Sequence, residues 1–281
     1  MKKNARIFVI YAVAFAVIAV AGVALRCFAL AEAYDADIGY YQTDAILPDV
    51  FHGVCIAAVA LAVLFAFILP KAGEYAPLPG GSTVTAVGSA FALAGCGAQT
   101  FYSLLLLSEK SVPAMGSVQT GQMGDAVIIF SLVFGLLSVI YFALVMAGKA
   151  KNGDKHVIFG YGIILFVLMT LAKTYFDLKT TMNSPNKLLL QVTFMAIMVY
   201  MLYELRFALG MAQPRGYMGV ALAAFYLTAV NSLPGIIMFF AGALNKTDYL
   251  VCDFMTLGFA IYIGARIFDF VLAQFKKKGE S

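Results

Sequence analysis

Residues 228–240 read TAVNSLPGIIMFF, a polar break inside a long apolar run. The run is long enough to cross a hydrocarbon core of about 30 Å as a helix that rises 1.5 Å per residue. Pro234 has no backbone N–H, so the carbonyl of Val230, four positions earlier, loses its helical donor. Asn231 and Ser232 stand beside this break. The stretch therefore predicts a membrane helix that carries a local polar site.

The composition of the whole chain agrees with a membrane location. Apolar residues make up 62% of the 281 residues and charged residues 12%, against about 45–50% and about 25% in soluble domains. Backbone groups in lipid must bond within the protein, which leaves helices or a closed barrel. Barrel strands alternate in polarity over about 10 residues, whereas the runs here are about twice as long and apolar on every face. The predicted fold class is an all-α polytopic integral membrane helix bundle.

The apolar runs divide the chain into about eight transmembrane helices within a single transmembrane domain, residues 1–281. They span residues 7–31, 51–69, 84–107, 125–147, 157–175, 188–210, 217–242 and 249–274. Lys and Arg concentrate on one side, which predicts that both termini are cytoplasmic in a bacterial cell membrane. Alternatively, the first run is a cleaved signal peptide, which would leave seven spans. About 19 apolar residues precede Arg26, more than the 7–15 of a signal core, so retention is favoured.

A weak internal similarity suggests two four-helix halves, residues 7–147 and 157–274. Residues 90–93 align with residues 224–227, and the same offset places Gly97 opposite Asn231. An even number of spans per half predicts parallel repeats, related by an axis along the membrane normal. The alternative is chance, because apolar helices resemble one another.

Several polar side chains reach similar depth near the outer ends of their spans. Charged and polar groups are costly in lipid and should face the bundle interior or a wet cavity. They predict a substrate-binding pocket under the outer face, formed by Gln99, Lys173, Asn231, Ser232 and Asp253. Lys173 is expected to pair with Asp177, four positions on along one helix face, or with Asp253 across helices.

Other features of these spans allow two interpretations. Gly95 and Gly97 could interrupt the third span at the depth of Asn231, a pattern typical of transporter sites. They could equally serve close packing between helices. Arg26 is expected to extend to the interface along its apolar stem.

A second charged cluster lies near the inner ends of the last spans. It contains Glu204, Arg206, Arg266 and Asp269. Arg266 and Asp269 are three residues apart and are expected to pair on one helix face. The cluster is interpreted as a set of structural ion pairs or as an inner gate.

Catalytic, metal and cofactor motifs are not evident. The sequence has no P-loop and no H-E-x-x-H, and its two His residues are predicted on opposite sides of the membrane. No C-x-x-C pair accompanies the four Cys residues. The net charge of +4 comes from short basic clusters at helix ends, so no nucleic-acid partner is indicated. We expect neither an enzyme nor a protein with a bound cofactor or metal.

The function that these patterns favour is a small-solute permease, or the substrate-binding membrane subunit of one. Its pocket would lie between the third, fifth, seventh and eighth spans, and its partners would be the lipid bilayer and a small polar solute. The alternative is a sensory or accessory subunit that acts through a membrane protein partner without transport of its own.

Overall fold

The computed structural model describes residues 2–35, 39–42, 44–69, 82–111, 125–149, 154–176, 184–211, 213–243 and 247–276. In these ranges it forms eight helices and one short hairpin. They are α1 (Lys2–Glu32), β1 (Tyr34–Asp35), β2 (Tyr40–Tyr41), α2 (Ile46–Ile68), α3 (Thr83–Ser111), α4 (Asp125–Met146), α5 (Asp154–Phe176), α6 (Pro185–Ala208), α7 (Pro214–Phe240) and α8 (Thr247–Lys276). Each predicted span coincides with one helix to within a few residues. The all-α fold class is confirmed.

All eight helices are long and apolar enough to cross a membrane. Their exposed surface carries large apolar side chains, such as Val20, Ile56 and Phe67, which suits contact with lipid and not with water. The chain is a multi-pass membrane protein. Because successive helices run in opposite directions, α1 begins and α8 ends at the same end of the bundle, which we call the termini end. The opposite end carries the β1–β2 hairpin and is called the hairpin end.

The helices pack as a closed ring with two helices outside it. Contacts run from α3 to α4, α5, α6, α7 and α8 in order, and α8 packs extensively against α3 to close the ring. Helices α1 and α2 pack against each other and against α7, and α1 also contacts α8. Helices α7 and α8 are the most buried of the eight. The polar break of α7 therefore lies at the centre of the packing.

The packing lends no support to two equivalent halves. A parallel repeat would pack α2 against α3 as α6 packs against α7. Instead, α2 packs mainly against α1 and α7. The duplication of residues 7–147 and 157–274 stays a prediction.

The third and seventh spans are not interrupted. Helix α3 runs without a break past Gly95 and Gly97, and α7 continues through Pro234. A Cβ atom on Gly95 would lie 2.8 Å from the Cα atom of Met255 in α8, whereas one on Gly97 would meet nothing within 4 Å. Of the two interpretations, interruption of the helices is not observed, and at Gly95 the structure agrees with close packing of α3 and α8.

This difference between two neighbouring glycines gives a stability test. We expect Gly95→Ala to lower the free energy of unfolding by about 1–3 kcal/mol, because the added methyl group pushes on the α8 backbone. Gly97→Ala is the matched control and should be neutral or slightly stabilising, since Ala is the better helix former. Thermal unfolding in detergent measures both. Equal effects of the two substitutions would contradict close packing at Gly95.

Candidate functional site

Arg26 of α1 points into the bundle and bonds the polar break of α7. Its side chain is only 4% exposed. Nη1 donates to the carbonyl oxygens of Val230 at 2.7 Å and Asn231 at 2.8 Å, and Nη2 donates to Oδ1 of Asn186 at 3.2 Å. The expectation that Arg26 extends to the membrane interface is therefore wrong.

Pro234 explains why the guanidinium lies there. In an unbroken helix the carbonyl of Val230 would accept from the N–H of residue 234, which Pro lacks. A carbonyl without a donor at membrane depth is costly, because no water is present to bond it. Arg26 supplies that donor, and the bond is charge-assisted and hence stronger than an amide–amide bond.

Asn231 and Asp253 complete the site beside the guanidinium. Asn231 is 2% exposed and Asp253 is 8% exposed. The Asn231 amide lies between two charges, with Oδ1 at 3.4 Å from Nη1 of Arg26 and Nδ2 at 3.4 Å from Oδ1 of Asp253. We call Arg26, Asn186, Asn231 and Asp253 the Arg26 cluster. It brings helices α1, α6, α7 and α8 together.

A glycine makes room for the Asp253 carboxylate. A Cβ atom on Gly235 of α7 would lie 2.0 Å from Oδ2 of Asp253. Any larger residue at 235 would thus displace the carboxylate. The local sequence NSLPG therefore supplies the amide, the free carbonyl and the space for the acid.

Three other predicted site residues lie outside the Arg26 cluster. Gln99 is 1% exposed; its Oε1 faces the Cys252 thiol at 3.8 Å, and its Nε2 has no partner in the described part of the chain. The Ser232 hydroxyl donates to the carbonyl of Thr228 in its own helix at 2.7 Å, so it is not directed at a ligand.

Lys173 is separate from Asp253. Its Nζ lies 4.3 Å from the centroid of the Tyr102 ring, a cation–π contact between α5 and α3. Hydrogen bonding to Asp253 comes from Asn231, so the expected pair of Lys173 with Asp253 is wrong. The other expected partner, Asp177, lies outside the described residues.

The hairpin covers the Arg26 cluster at the hairpin end. Ser184, which precedes α6, donates its hydroxyl to the carbonyl of Gly39 at 2.8 Å. The rings of Tyr34 and Tyr41 pack edge to face at 5.4 Å. The hydroxyl of Tyr34 interacts with Asn186, and that of Tyr41 with Arg26. Burial raises the pKa of both tyrosines above the ordinary value, so both hydroxyls stay neutral at physiological pH.

A second buried cluster lies toward the termini end. Arg266 of α8 donates from Nε to Oε1 of Glu204 at 2.7 Å, and its Nη2 forms an ion pair with the same oxygen at 2.6 Å. Three tyrosine hydroxyls donate to the Glu204 carboxylate, those of Tyr200 at 2.7 Å, Tyr217 at 3.0 Å and Tyr262 at 3.3 Å. We call these five residues the Glu204 cluster. Helices α6, α7 and α8 are joined by it.

The expected pair of Arg266 with Asp269 is not the pairing observed. Asp269 instead accepts hydrogen bonds from the hydroxyls of Ser82 and Thr85 at the start of α3. Arg206 is exposed and lies over the Tyr203 ring, with 6.0 Å between the guanidinium carbon and the ring centroid. The four inner charged residues therefore form three separate features. These are the buried ion pair of Arg266 with Glu204, the contact of Asp269 with the start of α3, and Arg206 at the surface.

The donor set indicates binding by hydrogen bonds and charge. Within the described ranges, no group of three or more His, Cys, Asp or Glu side chains is placed to hold a metal ion. The four cysteines form no disulfide in the structure, and three of them are buried. The Arg26 cluster offers a guanidinium, amides and one carboxylate in a nearly dry environment, where such groups interact strongly.

Sequence reasoning missed Arg26 and Asn186. The signal for Arg26 was present: a guanidinium inside an apolar helix needs acceptors, and Pro234 leaves one free in another helix. No comparable signal in the sequence pointed to Asn186. No protein family model, curated protein or solved structure matches the chain.

A double-mutant cycle can measure how far the contribution of Arg26 to stability depends on Pro234. Pro234→Ala restores an N–H that competes with Arg26 for the Val230 carbonyl. We expect Arg26→Gln to cost about 1–3 kcal/mol less in the Pro234→Ala background than in the wild type. Thermal unfolding in detergent gives the four stabilities. Pro214→Ala, at the start of α7, is the matched proline control and should be additive with Arg26→Gln; additivity at Pro234 would contradict the coupling.

The Glu204 cluster gives a second stability test with two matched arginines. Arg266→Gln leaves the buried Glu204 carboxylate without its cation, and we expect a loss of about 3–5 kcal/mol. Arg206→Gln removes an exposed arginine from the same end and should change stability by about 0.5 kcal/mol or less. Both are measured by thermal unfolding. Similar losses would show that the ion pair is not the stabilising contact.

Proposed function

We propose that the protein is a small-solute permease, or the substrate-binding membrane subunit of one, and that the Arg26 cluster is its binding site. One observation carries this proposal: a guanidinium, a carboxylate and an amide meet in the membrane-spanning part of the bundle, with some of their hydrogen-bonding capacity unused. Ionisable groups inside a membrane are rare and mark substrate or ion pathways. The function proposed is binding and transport, not catalysis.

The depth of the cluster supports this reading. Arg26 lies six residues before the end of α1, or about 9 Å along the helix, and Asn231 lies nine residues before the end of α7, or about 13 Å. Both are well inside the apolar part of the bundle. A residue that only anchored a helix at the membrane interface would lie at the helix end. Neither Arg26 nor Asn231 does.

The two ends of the bundle differ in a way that suits transport. At the hairpin end, Tyr34, Tyr41 and Ser184 cover the Arg26 cluster. Toward the termini end, the Glu204 cluster ties α6, α7 and α8 together. A transported solute needs a site that can be closed on each side in turn. The hairpin-end residues and the Glu204 cluster are the two groups placed to provide that closure.

We also propose that the protein lies in a bacterial cell membrane with the hairpin end outside. The bias of Lys and Arg toward the loops and tails of the termini end supports this orientation, because positive residues are retained in the cytoplasm. In that orientation the Arg26 cluster lies nearer the outer surface.

The binding site is tested by ligand-induced stabilisation. Detergent-purified protein is screened by thermal shift against a library of small polar metabolites, beside Asn231→Ala and Asp253→Asn. We expect at least one compound to raise the melting temperature of the wild type and of the control Asp49→Asn, an exposed acid at the start of α2, but not of Asn231→Ala. Asp253→Asn, which removes only the charge, should change the size of the shift. Uptake into proteoliposomes then checks transport.

A different outcome would favour the accessory-subunit alternative. If no compound stabilises the wild type, none enters proteoliposomes and the protein co-purifies with a stoichiometric membrane partner, the permease proposal fails. The site substitutions should then alter partner retention, not solute binding.

A further inference from the structure

We infer that the Arg26 cluster binds a small monovalent carboxylate and takes up one proton with it, on Asp253. This inference rests on the proposed function and names the substrate class of that same site. It follows from three features: the unused edge of the guanidinium, the sparse bonding of the Asp253 carboxylate and the charge balance of a buried site.

The guanidinium has one edge left for a ligand. Nη1 is occupied by the carbonyls of Val230 and Asn231, Nη2 donates to Asn186, and the Tyr41 hydroxyl also interacts with the guanidinium. Nε is buried and has no hydrogen-bond partner among the described residues. The Nε–Nη2 edge is the planar fork that binds the two oxygens of a carboxylate side by side. An oxyanion at this edge would give Nε the acceptor that the described residues do not supply.

The Asp253 carboxylate is sparsely bonded. Among the described residues its side chain accepts one hydrogen bond, from Nδ2 of Asn231 at a long 3.4 Å. Helix α8, which carries Asp253, packs against α1, α3 and α7. From α1 the charged group is Arg26, and α7 presents the neutral Asn231 and Gly235. The α3 residue at this level is the uncharged Gln99, beside Cys252 of α8. Arg26 is thus the charge that acts on Asp253 from the described helices.

Charge balance links the anion to a proton. Where Asp253 is ionised, its charge balances that of Arg26 in the empty site. A bound carboxylate would make it negative, and an excess charge buried at low dielectric is strongly disfavoured. Protonation of Asp253 restores neutrality and turns the acid into a hydrogen-bond donor. One proton should therefore bind with each monovalent anion.

The close walls of the site restrict the ligand to a small one. A Cβ atom on Gly22 of α1 would lie 2.8 Å from the Tyr226 hydroxyl, and one on Gly235 would meet Asp253. Helices α1 and α7 therefore approach closely beside the cluster. Such close walls favour a carboxylate with a side chain of a few atoms over a sugar or a nucleoside.

The test uses matched ligands that differ in charge. Thermal shift and proteoliposome uptake are measured with L-lactate, with its neutral counterpart L-lactamide, with the zwitterion L-alanine and with neutral and cationic metabolites. We expect L-lactate to stabilise and enter, and L-lactamide to do neither. Pyranine trapped inside the liposomes should report one proton entering with each lactate.

The Asp253→Asn variant isolates the proton. In the wild type, the apparent Kd for lactate should rise about tenfold per pH unit over the range in which the empty site is ionised and the occupied site is protonated. Asp253→Asn mimics the protonated acid, so its lactate affinity should not depend on pH and its uptake should carry no proton. Asp49→Asn is the control and should retain the wild-type pH dependence. Arg26→Gln, where it purifies as a folded monodisperse protein, should lose lactate binding.

The outcomes separate this inference from the proposed function. If a neutral or cationic solute binds and enters while L-lactate does not, the carboxylate inference is overturned and the permease proposal stands. Lactate uptake without protons, or with unchanged pH dependence in Asp253→Asn, overturns the coupling to Asp253. If no solute in the panel binds or enters, the proposed function itself is overturned.

Discussion

The carbonyl of Val230 is the constraint on which the rest of the site depends. Pro234 removes its helical donor, and hydrocarbon offers no water in exchange. The guanidinium of Arg26 bonds it at 2.7 Å, which fixes the depth and rotation of α1 against α7. That placement sets the positive charge beside Asn231 and within reach of the Asp253 carboxylate. A backbone defect in one helix thus positions a charge carried by another.

The two buried charge clusters differ in how completely their groups are bonded. The Glu204 carboxylate accepts from an arginine and three tyrosine hydroxyls, so it needs nothing further and suits a structural tie. The Asp253 carboxylate has one long hydrogen bond, and Nε of Arg26 has none in the described ranges. Buried polar groups are normally satisfied. Incomplete bonding, and not burial, therefore distinguishes the candidate site from the structural cluster.

The sequence predicted the helices better than their contacts. Apolar runs of membrane length determine eight helices almost directly, because lipid leaves the backbone no alternative. The cost of buried polar groups also selected Asn231 and Asp253 correctly as interior residues. Depth along a helix, however, does not specify which way a side chain points when every face of the helix is apolar. For that reason the outward reading of Arg26, the pair of Lys173 with Asp253 and the pair of Arg266 with Asp269 were wrong.

The two charges of the site come from different parts of the fold. Arg26 comes from α1, which lies outside the closed ring, whereas Asp253 comes from α8, within it. The Asn231 amide holds the two charges near each other at long distances of 3.4 Å on each side. A small anion that engages the open edge of Arg26, together with a proton on Asp253, would replace these long contacts with shorter ones.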